Sequence, residues 1–298
     1  MKNLIVIVGP TGIGKTDLSI DIAKEYNTEI ISSDSRQVYR ELKIGTAVPT
    51  DQQLSEVKHH FVGNVSIYDY YNASMFEFEV IDKLKQLHDS YNEVIMTGGS
   101  GMYINAVCNG IDELPTVDQD LRNELKERFE KEGIESLRMQ LKMLDPVSYE
   151  RVDLKNPKRM LKVLEVSLQT GKPYSSFLSK PKKQRDFNII KIGLERDRVE
   201  LYNRINLRVD QMVEEGLVEE ARRFFPDRNL NSLNTVGYKE LFDYFDGIID
   251  LDKAIELIKR DSRHYAKKQI SWFNRDKEFT WFHPDKKEEI IRFINSKL

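Results

Sequence analysis

The sequence predicts an α/β fold, in which a parallel sheet with helices on its faces is interrupted by a helical insertion domain. Two observations carry this prediction. Short apolar runs alternate with segments of helical periodicity up to Pro115, which is the pattern of a parallel sheet. From there to about Tyr174 the helical periodicity continues without a convincing strand. We therefore predict a core formed by residues 1–115 and 187–298, and a helical insertion at 116–186.

The predicted strands are short segments rich in apolar residues. Leu4 to Val8 is a continuous aliphatic run, which is typical of a strand buried on both faces of a parallel sheet. The other segments of this kind are Glu29 to Ile31, Glu93 to Thr97, Asn188 to Leu194 and Phe279 to Phe282. The last two are predicted to return the chain to the sheet after the insertion.

The predicted helices show apolar residues three or four positions apart, so that these residues share one face. In the core, two such sets are Leu18, Ile22, Ala23 and Tyr26, and then Phe76, Val80, Leu84 and Leu87. In the insertion they are Leu121, Leu125 and Phe129, and then Met160, Leu161, Leu164 and Leu168. Gly171 and Pro173 are expected to end the last of these helices.

Composition narrows the class of protein. The chain has 298 residues, of which 40% are hydrophobic and 32% charged, a globular profile with room for about two domains. Its net charge of −3 neither requires nor excludes a nucleic acid partner, which would need segregated basic patches. The single cysteine, Cys108, excludes an intrachain disulfide and is expected to be buried. No segment reaches the about 20 apolar residues of a membrane span, so we expect a cytoplasmic protein without membrane contact. We also expect the protein to be a monomer.

Eight residues directly after the first predicted strand match the full P-loop pattern: Gly9, Pro10, Thr11, Gly12, Ile13, Gly14, Lys15 and Thr16. The glycines let successive backbone N–H groups point inward, and the helix that follows adds its partial positive charge. Lys15 supplies a full charge to phosphate oxygens, and the Thr16 hydroxyl offers a ligand to Mg²⁺. The alternative is a glycine-rich turn that binds nothing, but the flanking strand and helix favour phosphate binding. The core is therefore predicted to be a P-loop core of the nucleoside monophosphate kinase type.

The P-loop does not identify the molecule that carries the phosphates. Most such loops bind ATP or GTP, and those enzymes hold Mg²⁺ with an aspartate at the end of a hydrophobic strand. Here the strand that begins at Glu93 ends in Thr97-Gly98-Gly99-Ser100, without an acid. A diphosphate ester with an apolar tail would fit the same loop without that acid.

An acid does follow the second predicted strand, at Asp34. Residues just past the carboxyl ends of parallel strands line the ligand crevice, so Asp34 is expected to face the phosphates. There it could act as a general base or bind Mg²⁺ through water. The alternative is an aspartate that only caps a turn or a helix.

Several blocks of the sequence together resemble the tRNA dimethylallyltransferases, also called tRNA isopentenyltransferases. The blocks are the P-loop, Ser33-Asp34-Ser35-Arg36-Gln37-Val38-Tyr39, Ile44-Gly45-Thr46-Ala47, His59-His60, Gly98-Gly99-Ser100-Gly101-Met102-Tyr103, Asn156-Pro157-Lys158-Arg159, Gly237-Tyr238-Lys239-Glu240, and Arg263 to Trp272. They span nearly the whole chain, in the shorter bacterial form. Ser100 stands where the family usually has threonine, and Gly63 where an acid usually follows the paired histidines.

The resemblance implies a reaction and its partners. The donor would be dimethylallyl diphosphate, with its diphosphate in the P-loop and Mg²⁺ on Thr16. The acceptor would be N6 of adenine 37 in the anticodon stem-loop of tRNA. Asp34 would take the proton from N6, while Lys15 and Ser100 would stabilise the leaving diphosphate. Arg122 matches a family position near the reaction channel.

The resemblance also implies which residues bind tRNA. They are Asp34, Ser35, Arg36 and Gln37 beside the P-loop, Lys158, Arg159 and Lys162 in the insertion, and Arg263 and Lys267 near the C-terminus. Without the resemblance, each basic group would be interpreted as a solvated helix face.

Two other functions remain open from the sequence alone. A small-molecule kinase would use the same P-loop for ATP, would consume ATP and would not depend on RNA. An RNA-binding regulatory module would bind RNA without turnover of a diphosphate. The missing acid after the third strand argues against the kinase, and the set of Lys15, Thr16 and Asp34 argues against the module.

Overall fold

The computed structural model describes residues 2–112, 114–116, 118–178 and 183–298. The chain divides into two compact units, one made of Met1–Cys108 and Arg185–Leu298, the other of Asn109–Gln184. The insertion predicted at 116–186 overlaps the second unit. Its assignment as a separate domain that contacts tRNA stays a prediction.

The first unit is built on a parallel sheet. In the described part of the chain its strands are β1 Asn3–Val8, β2 Ile30–Ser32, β3 His59–His60, β4 Glu93–Gly98, β5 Asn188–Leu194 and β6 Thr280–Phe282. They lie in the order β3-β2-β4-β1-β5-β6, and every pair is parallel. The predicted parallel α/β core is therefore confirmed. The strand β3 was not predicted, because two histidines carry no strand periodicity.

The central strand places the P-loop. β1 is hydrogen-bonded to β4 on one side and β5 on the other, and all its residues are buried. Its aliphatic side chains are buried on both faces of the sheet, which is why the sequence shows a continuous apolar run. The chain leaves β1 at Val8 and enters the P-loop at the carboxyl edge of the sheet.

Helices cover the sheet of the first unit. They are α1 Lys15–Glu25, α2 Asp51–Glu56, α3 Ala73–Ser90, α4 Gly101–Asn109, α9 Arg198–Glu214, α10 Leu217–Phe224, α11 Tyr238–Phe245, α12 Leu251–Phe273 and α13 Lys287–Asn295. Short 3₁₀ turns lie at Phe225–Asp227 and Asn231–Leu233. A core of aliphatic side chains from β1, β5, α1, α9 and α13 packs between sheet and helices; it includes Ile5, Ile7, Leu18, Ile22, Ile192, Leu201, Ile205 and Ile290. Burial of such side chains is the main stabilising contribution to this unit.

The second unit is helical over its described residues. Its helices are α5 Gln119–Glu132, α6 Ile134–Leu144, α7 Pro146–Arg151 and α8 Pro157–Thr170, followed by a 3₁₀ turn at Tyr174–Phe177. Leu125, Leu137, Leu141, Met160, Val163 and Leu164 form its buried core. Asn156 caps the start of α8. Gly171, at a φ of 67°, ends this helix, as the sequence predicts. A left-handed residue at this place favours glycine.

Two smaller predictions can be compared with the structure. Cys108 is buried, as expected, and burial raises the pKa of its thiol to about 12, so it is not poised as a nucleophile. No helix of the described residues is long and apolar enough to span a bilayer.

Candidate active site

A cavity of about 720 Å³ opens at the carboxyl edge of the sheet in the first unit. Thr11 to Thr16 after β1, Ser32 and Asp34 at the end of β2, and Thr97 and Gly98 at the end of β4 line it. This is the place where parallel sheets bind ligands, and the volume is in the range of small-molecule sites, about 300–1,000 Å³.

The P-loop has the conformation that its sequence predicts. Gly12 and Gly14 adopt φ angles of 77° and 103°, at which a side chain would be strained, and Gly14 is the N-cap residue of α1. Neighbouring elements fix the loop from outside. The guanidinium of Arg204 donates to the carbonyl of Gly12 over 2.9 Å, and that of Arg196 to the carbonyl of Ile13 over 3.0 Å. With its carbonyls engaged in this way, the loop is pre-organised for an anion at its amide groups.

Several charged side chains line the cavity, and three of them interact electrostatically beside the P-loop: Lys15, Asp34 and Arg208. The Lys15 ammonium donates to the carbonyls of Gly9 and Pro10, at 3.0 and 2.9 Å. Desolvation lowers the pKa of Lys15 to about 8, against the opposing attraction of Asp34. Burial likewise lowers the pKa of Arg208, again against Asp34. Two cations held out of bulk water beside one carboxylate form a site suited to an anion with more than one charge.

Asp34 begins a tight turn that carries the next three polar residues. Its Oδ1 accepts from the backbone N–H of Arg36 at 2.9 Å and of Gln37 at 3.4 Å. Asp34 therefore does cap a turn, and it also lines the cavity, while its role as a general base or Mg²⁺ ligand stays a prediction. The Gln37 amide donates to the carbonyls of Thr46 and Ala47, at 3.2 and 2.9 Å, which fixes its orientation in the wall.

The guanidinium of Arg36 is engaged by backbone carbonyls. Nη1 donates to Asn231 and Ser232, both at 3.1 Å, and Nη2 to Asn234 at 3.4 Å. Arg36 lines the cavity as predicted, and it also holds the segment that leads to the cavity residues Asn234 and Thr235. Its contact with tRNA stays a prediction.

Ser100 lies behind the cavity wall. It is 7% exposed, accepts from the Ser35 backbone N–H at 2.8 Å and donates to the Ser35 hydroxyl at 3.0 Å. Its hydroxyl thus supports the residue next to Asp34. The predicted contact with a diphosphate oxygen stays a prediction.

One buried amide joins the P-loop to the turn before Ser100. Gln269 on α12 accepts from the Thr11 backbone N–H and donates to the Gly99 carbonyl, both at 2.9 Å. A Cβ on Gly99 would lie 2.2 Å from the Gln269 amide nitrogen, so a larger residue here would displace that amide. The contact explains why a helix distant in sequence forms part of the site.

Apolar residues form another part of the wall. Ile205, Val209 and Met212 follow one another at helical spacing on α9, and Leu217, Val236 and Ile258 come from later parts of the chain. The cavity therefore combines a cationic phosphate site with apolar surface, as a diphosphate ester with a hydrocarbon tail requires.

The sequence analysis did not assign several polar residues of this cavity to the site, among them Arg208, Tyr265, Lys268 and Gln269. The last three lie in the block from Arg263 to Trp272 that carries the family resemblance, so a signal for them was present. Tyr265 lies near Asp34; desolvation first and then this charge raise the pKa of its hydroxyl to about 12. Arg208 had no sequence signal beyond its spacing of four from Arg204 on one helix face.

The predicted basic residues of α12 lie beside the cavity lining rather than in it. Lys267 is exposed, and Arg263 is half-buried with its Nη1 donating to the Asn206 side chain at 2.6 Å. Lys259 on the same face pairs with Asp210 at 2.5 Å. This face is thus partly neutralised, with Lys267 as its most exposed cation among the three.

In the second unit, Arg122 forms a two-point ion pair with Glu165. Its Nε and Nη2 donate to the two carboxylate oxygens at 2.6 and 2.8 Å. The pair joins α5 to α8. Lys158 and Arg159 are exposed on α8, while desolvation lowers the pKa of the half-buried Lys162. The roles of these residues in catalysis and tRNA binding stay predictions.

Comparisons with known proteins agree on one family. A family profile described as IPP transferase matches residues 37–276. A tRNA dimethylallyltransferase from Bacteroides fragilis is 55% identical over 297 residues, which are 100% of this chain and 99% of that protein. The chain belongs to the IPP transferase family.

Solved structures of IPP transferase relatives share the fold. The tRNA isopentenylpyrophosphate transferase of Bacillus halodurans is 36% identical, with a TM-score of 0.73 over 100% of this chain and 97% of that one. A eukaryotic dimethylallyltransferase described as acting on tRNA is 26% identical, with a TM-score of 0.75 over 92% of this chain and 70% of the other.

The cavity offers oxygen ligands for the Mg²⁺ that the family resemblance implies. Among the described residues, His, Cys, Asp and Glu form no group of three or more that could hold a metal by themselves. The Thr16 hydroxyl and the Asp34 carboxylate do line one cavity, and both are hard oxygen ligands. This set fits Mg²⁺, which keeps several waters and completes its shell with substrate phosphates.

Proposed function

We propose that this IPP transferase moves a dimethylallyl group from dimethylallyl diphosphate to N6 of adenine 37 in the anticodon loop of tRNA, and releases diphosphate. The observation that carries the proposal is that one cavity combines the P-loop, the cations Lys15 and Arg208, the carboxylate of Asp34 and an apolar wall. We further propose that the protein acts as a monomer in the cytoplasm.

The donor would place its diphosphate against the P-loop amides. Lys15 and Arg208 supply the two nearby positive charges, and the aliphatic side chains of α9 offer a surface to the five-carbon tail. Thr16, and Asp34 through water, would hold Mg²⁺, which when bound neutralises charge on the leaving diphosphate. The cations matter most as the carbon–oxygen bond breaks, since negative charge then grows on the leaving oxygen.

The acceptor would enter the same cavity as an adenine withdrawn from its stack. Its N6 lone pair attacks the allylic carbon, the carbon–oxygen bond breaks, and diphosphate leaves with the electron pair. The N6 proton goes to the carboxylate of Asp34, which the turn to Arg36 and Gln37 holds in the wall. Gln37 has its amide fixed beside Asp34, and is the side chain we assign to contact with the base.

The kinase alternative has less support in this cavity. β4 ends at Gly98, and the residues that follow it, Gly99 and Ser100, do not supply the Mg²⁺-binding aspartate of ordinary P-loop enzymes. The apolar wall also suits a hydrocarbon tail better than a nucleotide's sugar and base.

A transfer assay tests the proposal. Labelled dimethylallyl diphosphate, Mg²⁺ and unmodified tRNA are incubated with the full chain, and the label in tRNA is counted. We expect incorporation that is lost when adenine 37 is replaced by guanine, whose exocyclic amine lies elsewhere on the ring. Hydrolysis of ATP or transfer of its phosphate, without label in tRNA, would instead establish the kinase.

The tRNA-binding face of α12 gives a second prediction. Replacing Arg263 and Lys267 by glutamine removes two cations near the cavity, so we expect weaker tRNA binding. The slope of log Kd against log salt concentration should also fall by about 1–2. The measurement is tRNA affinity across a salt series. Lys253→Gln on the same helix, where the lysine pairs with Glu256, is the matched control and should leave the slope nearly unchanged. An unaltered slope in the double variant would show that this face is only solvated.

A further inference from the structure

A buried carboxylate outside the proposed chemistry holds one wall of the cavity. Glu220 on α10 is 6% exposed. Its Oε2 accepts from the backbone N–H groups of Lys43 and Ile44, at 3.0 and 2.9 Å. Its Oε1 accepts from the Gly45 N–H at 2.8 Å and from the Tyr238 hydroxyl at 2.6 Å. All four partner groups donate a hydrogen bond to a Glu220 oxygen, and only a carboxylate can accept all four.

The chain at residues 43–47, which we term the 43–47 loop, is shaped by this contact. A Cβ on Gly45 would lie 2.6 Å from the fully buried ring of Tyr238, so the loop backbone rests directly on that ring. Two residues later Ala47 adopts a φ of 48°, a left-handed conformation that a non-glycine residue keeps only where its surroundings enforce it. The Glu220 and Tyr238 contacts supply such surroundings.

The enforced conformation presents one carbonyl to two cavity residues. The Ala47 carbonyl accepts from the Gln37 amide at 2.9 Å and from the Arg208 guanidinium at 3.3 Å. Arg208 is the cation assigned above to the diphosphate, and Gln37 is the amide assigned to the base. A shift of this carbonyl would therefore misplace a residue for each substrate.

We infer that Glu220, together with Tyr238, is a positioning residue that sets the 43–47 loop so that the Ala47 carbonyl orients Arg208 and Gln37. Glu220 touches neither substrate and acts through the loop. The inference rests on the proposed function for the roles of Arg208 and Gln37, whereas the control of the loop by Glu220 does not depend on it.

The test uses Glu220→Gln in the full chain and inorganic pyrophosphate as the probe. Whichever way the new amide turns, its NH₂ faces backbone or hydroxyl donors, so the loop loses at least one set of contacts. We expect faster amide hydrogen exchange at residues 43–47 and a pyrophosphate Kd about tenfold higher, which corresponds to the loss of one charged hydrogen bond. Glu77→Gln is the matched control, since Glu77 is also a buried carboxylate of the first unit, paired with Arg185 outside the cavity.

A double variant separates positioning from general damage. If Glu220 acts through Arg208, Glu220→Gln should raise the pyrophosphate Kd much less when Arg208 is already lysine. An equal effect in both backgrounds would overturn the inference. If Glu220→Gln does not fold, Tyr238→Phe serves in its place, since it removes a single hydroxyl contact. It should cause a smaller rise in hydrogen exchange at the loop and in the pyrophosphate Kd.

The outcomes distinguish this inference from the proposed function. Unchanged exchange at the 43–47 loop in a folded Glu220→Gln protein overturns the inference, whatever the transfer assay gives. A protein whose loop and pyrophosphate affinity respond as expected, but which transfers no label to tRNA, would contradict the proposed function and leave the inference supported.

Discussion

Replacing Asp34 by asparagine is expected to lower the rate of prenyl transfer by about 10²-fold or more, the usual scale for removal of a general base. Asparagine retains the Oδ1 atom that accepts from the Arg36 and Gln37 backbone N–H groups, so the turn should persist. It cannot take the proton that N6 must lose. The measurement is single-turnover transfer with saturating tRNA and donor, which reports chemistry rather than binding.

The Asp34→Asn experiment needs a binding readout beside the rate. We expect tRNA affinity close to that of the unaltered protein, because the wall geometry is kept. Asp21→Asn is the matched control: it removes an exposed carboxylate on α1 that pairs with Lys287 at 3.3 Å and does not line the cavity. A near-normal rate in Asp34→Asn would exclude Asp34 as the base and restrict it to its turn.

The fold could be predicted because its determinants are local. The aliphatic run of β1, the glycines of the P-loop and the periodicity of α3 and α8 each act over a few residues, and the structure has all of them. β3 could not be predicted, since its two histidines are held there by pairing with β2 and not by their own preference. The strand order also depends on tertiary packing, which periodicity does not report.

The candidate site was predictable only where a residue follows a strand. Lys15 and Asp34 line the cavity because the ends of β1 and β2 carry them to the same edge. Arg208 and Gln269 lie on helices, and their positions depend on how α9 and α12 pack on the sheet, so spacing alone could not select them. Ser100 follows β4 as predicted, yet it lies behind Ser35, because backbone direction after a strand decides which side chain reaches the cavity.

Removal of the P-loop lysine is the second variant expected to have a large effect. Lys15→Met keeps the length and apolar stem of the side chain but removes its charge from a desolvated site beside Arg208. We expect transfer to fall by about 10²–10³-fold, as for loss of one donor to a developing negative charge. Lys24→Met is the matched control, because Lys24 lies on the same helix, exposed and paired with Glu56 at 2.6 Å. Equal losses in both variants would point to damage to α1 instead.

The pH dependence of pyrophosphate binding gives an independent measure of the same charge. The pKa of Lys15 is lowered to about 8, so the side chain is charged below that pH and loses its proton above it. Affinity for pyrophosphate should therefore fall as pH rises from 7 to 9, by up to about tenfold, since one unit above its pKa only about a tenth of a group stays protonated. Pyrophosphate itself titrates, so the quantity to plot is the ratio of Kd in Lys15→Met to Kd in the unaltered protein. That ratio should be large at pH 7 and shrink towards pH 9; a ratio that stays constant would mean that Lys15 remains charged throughout and that Asp34 outweighs its desolvation.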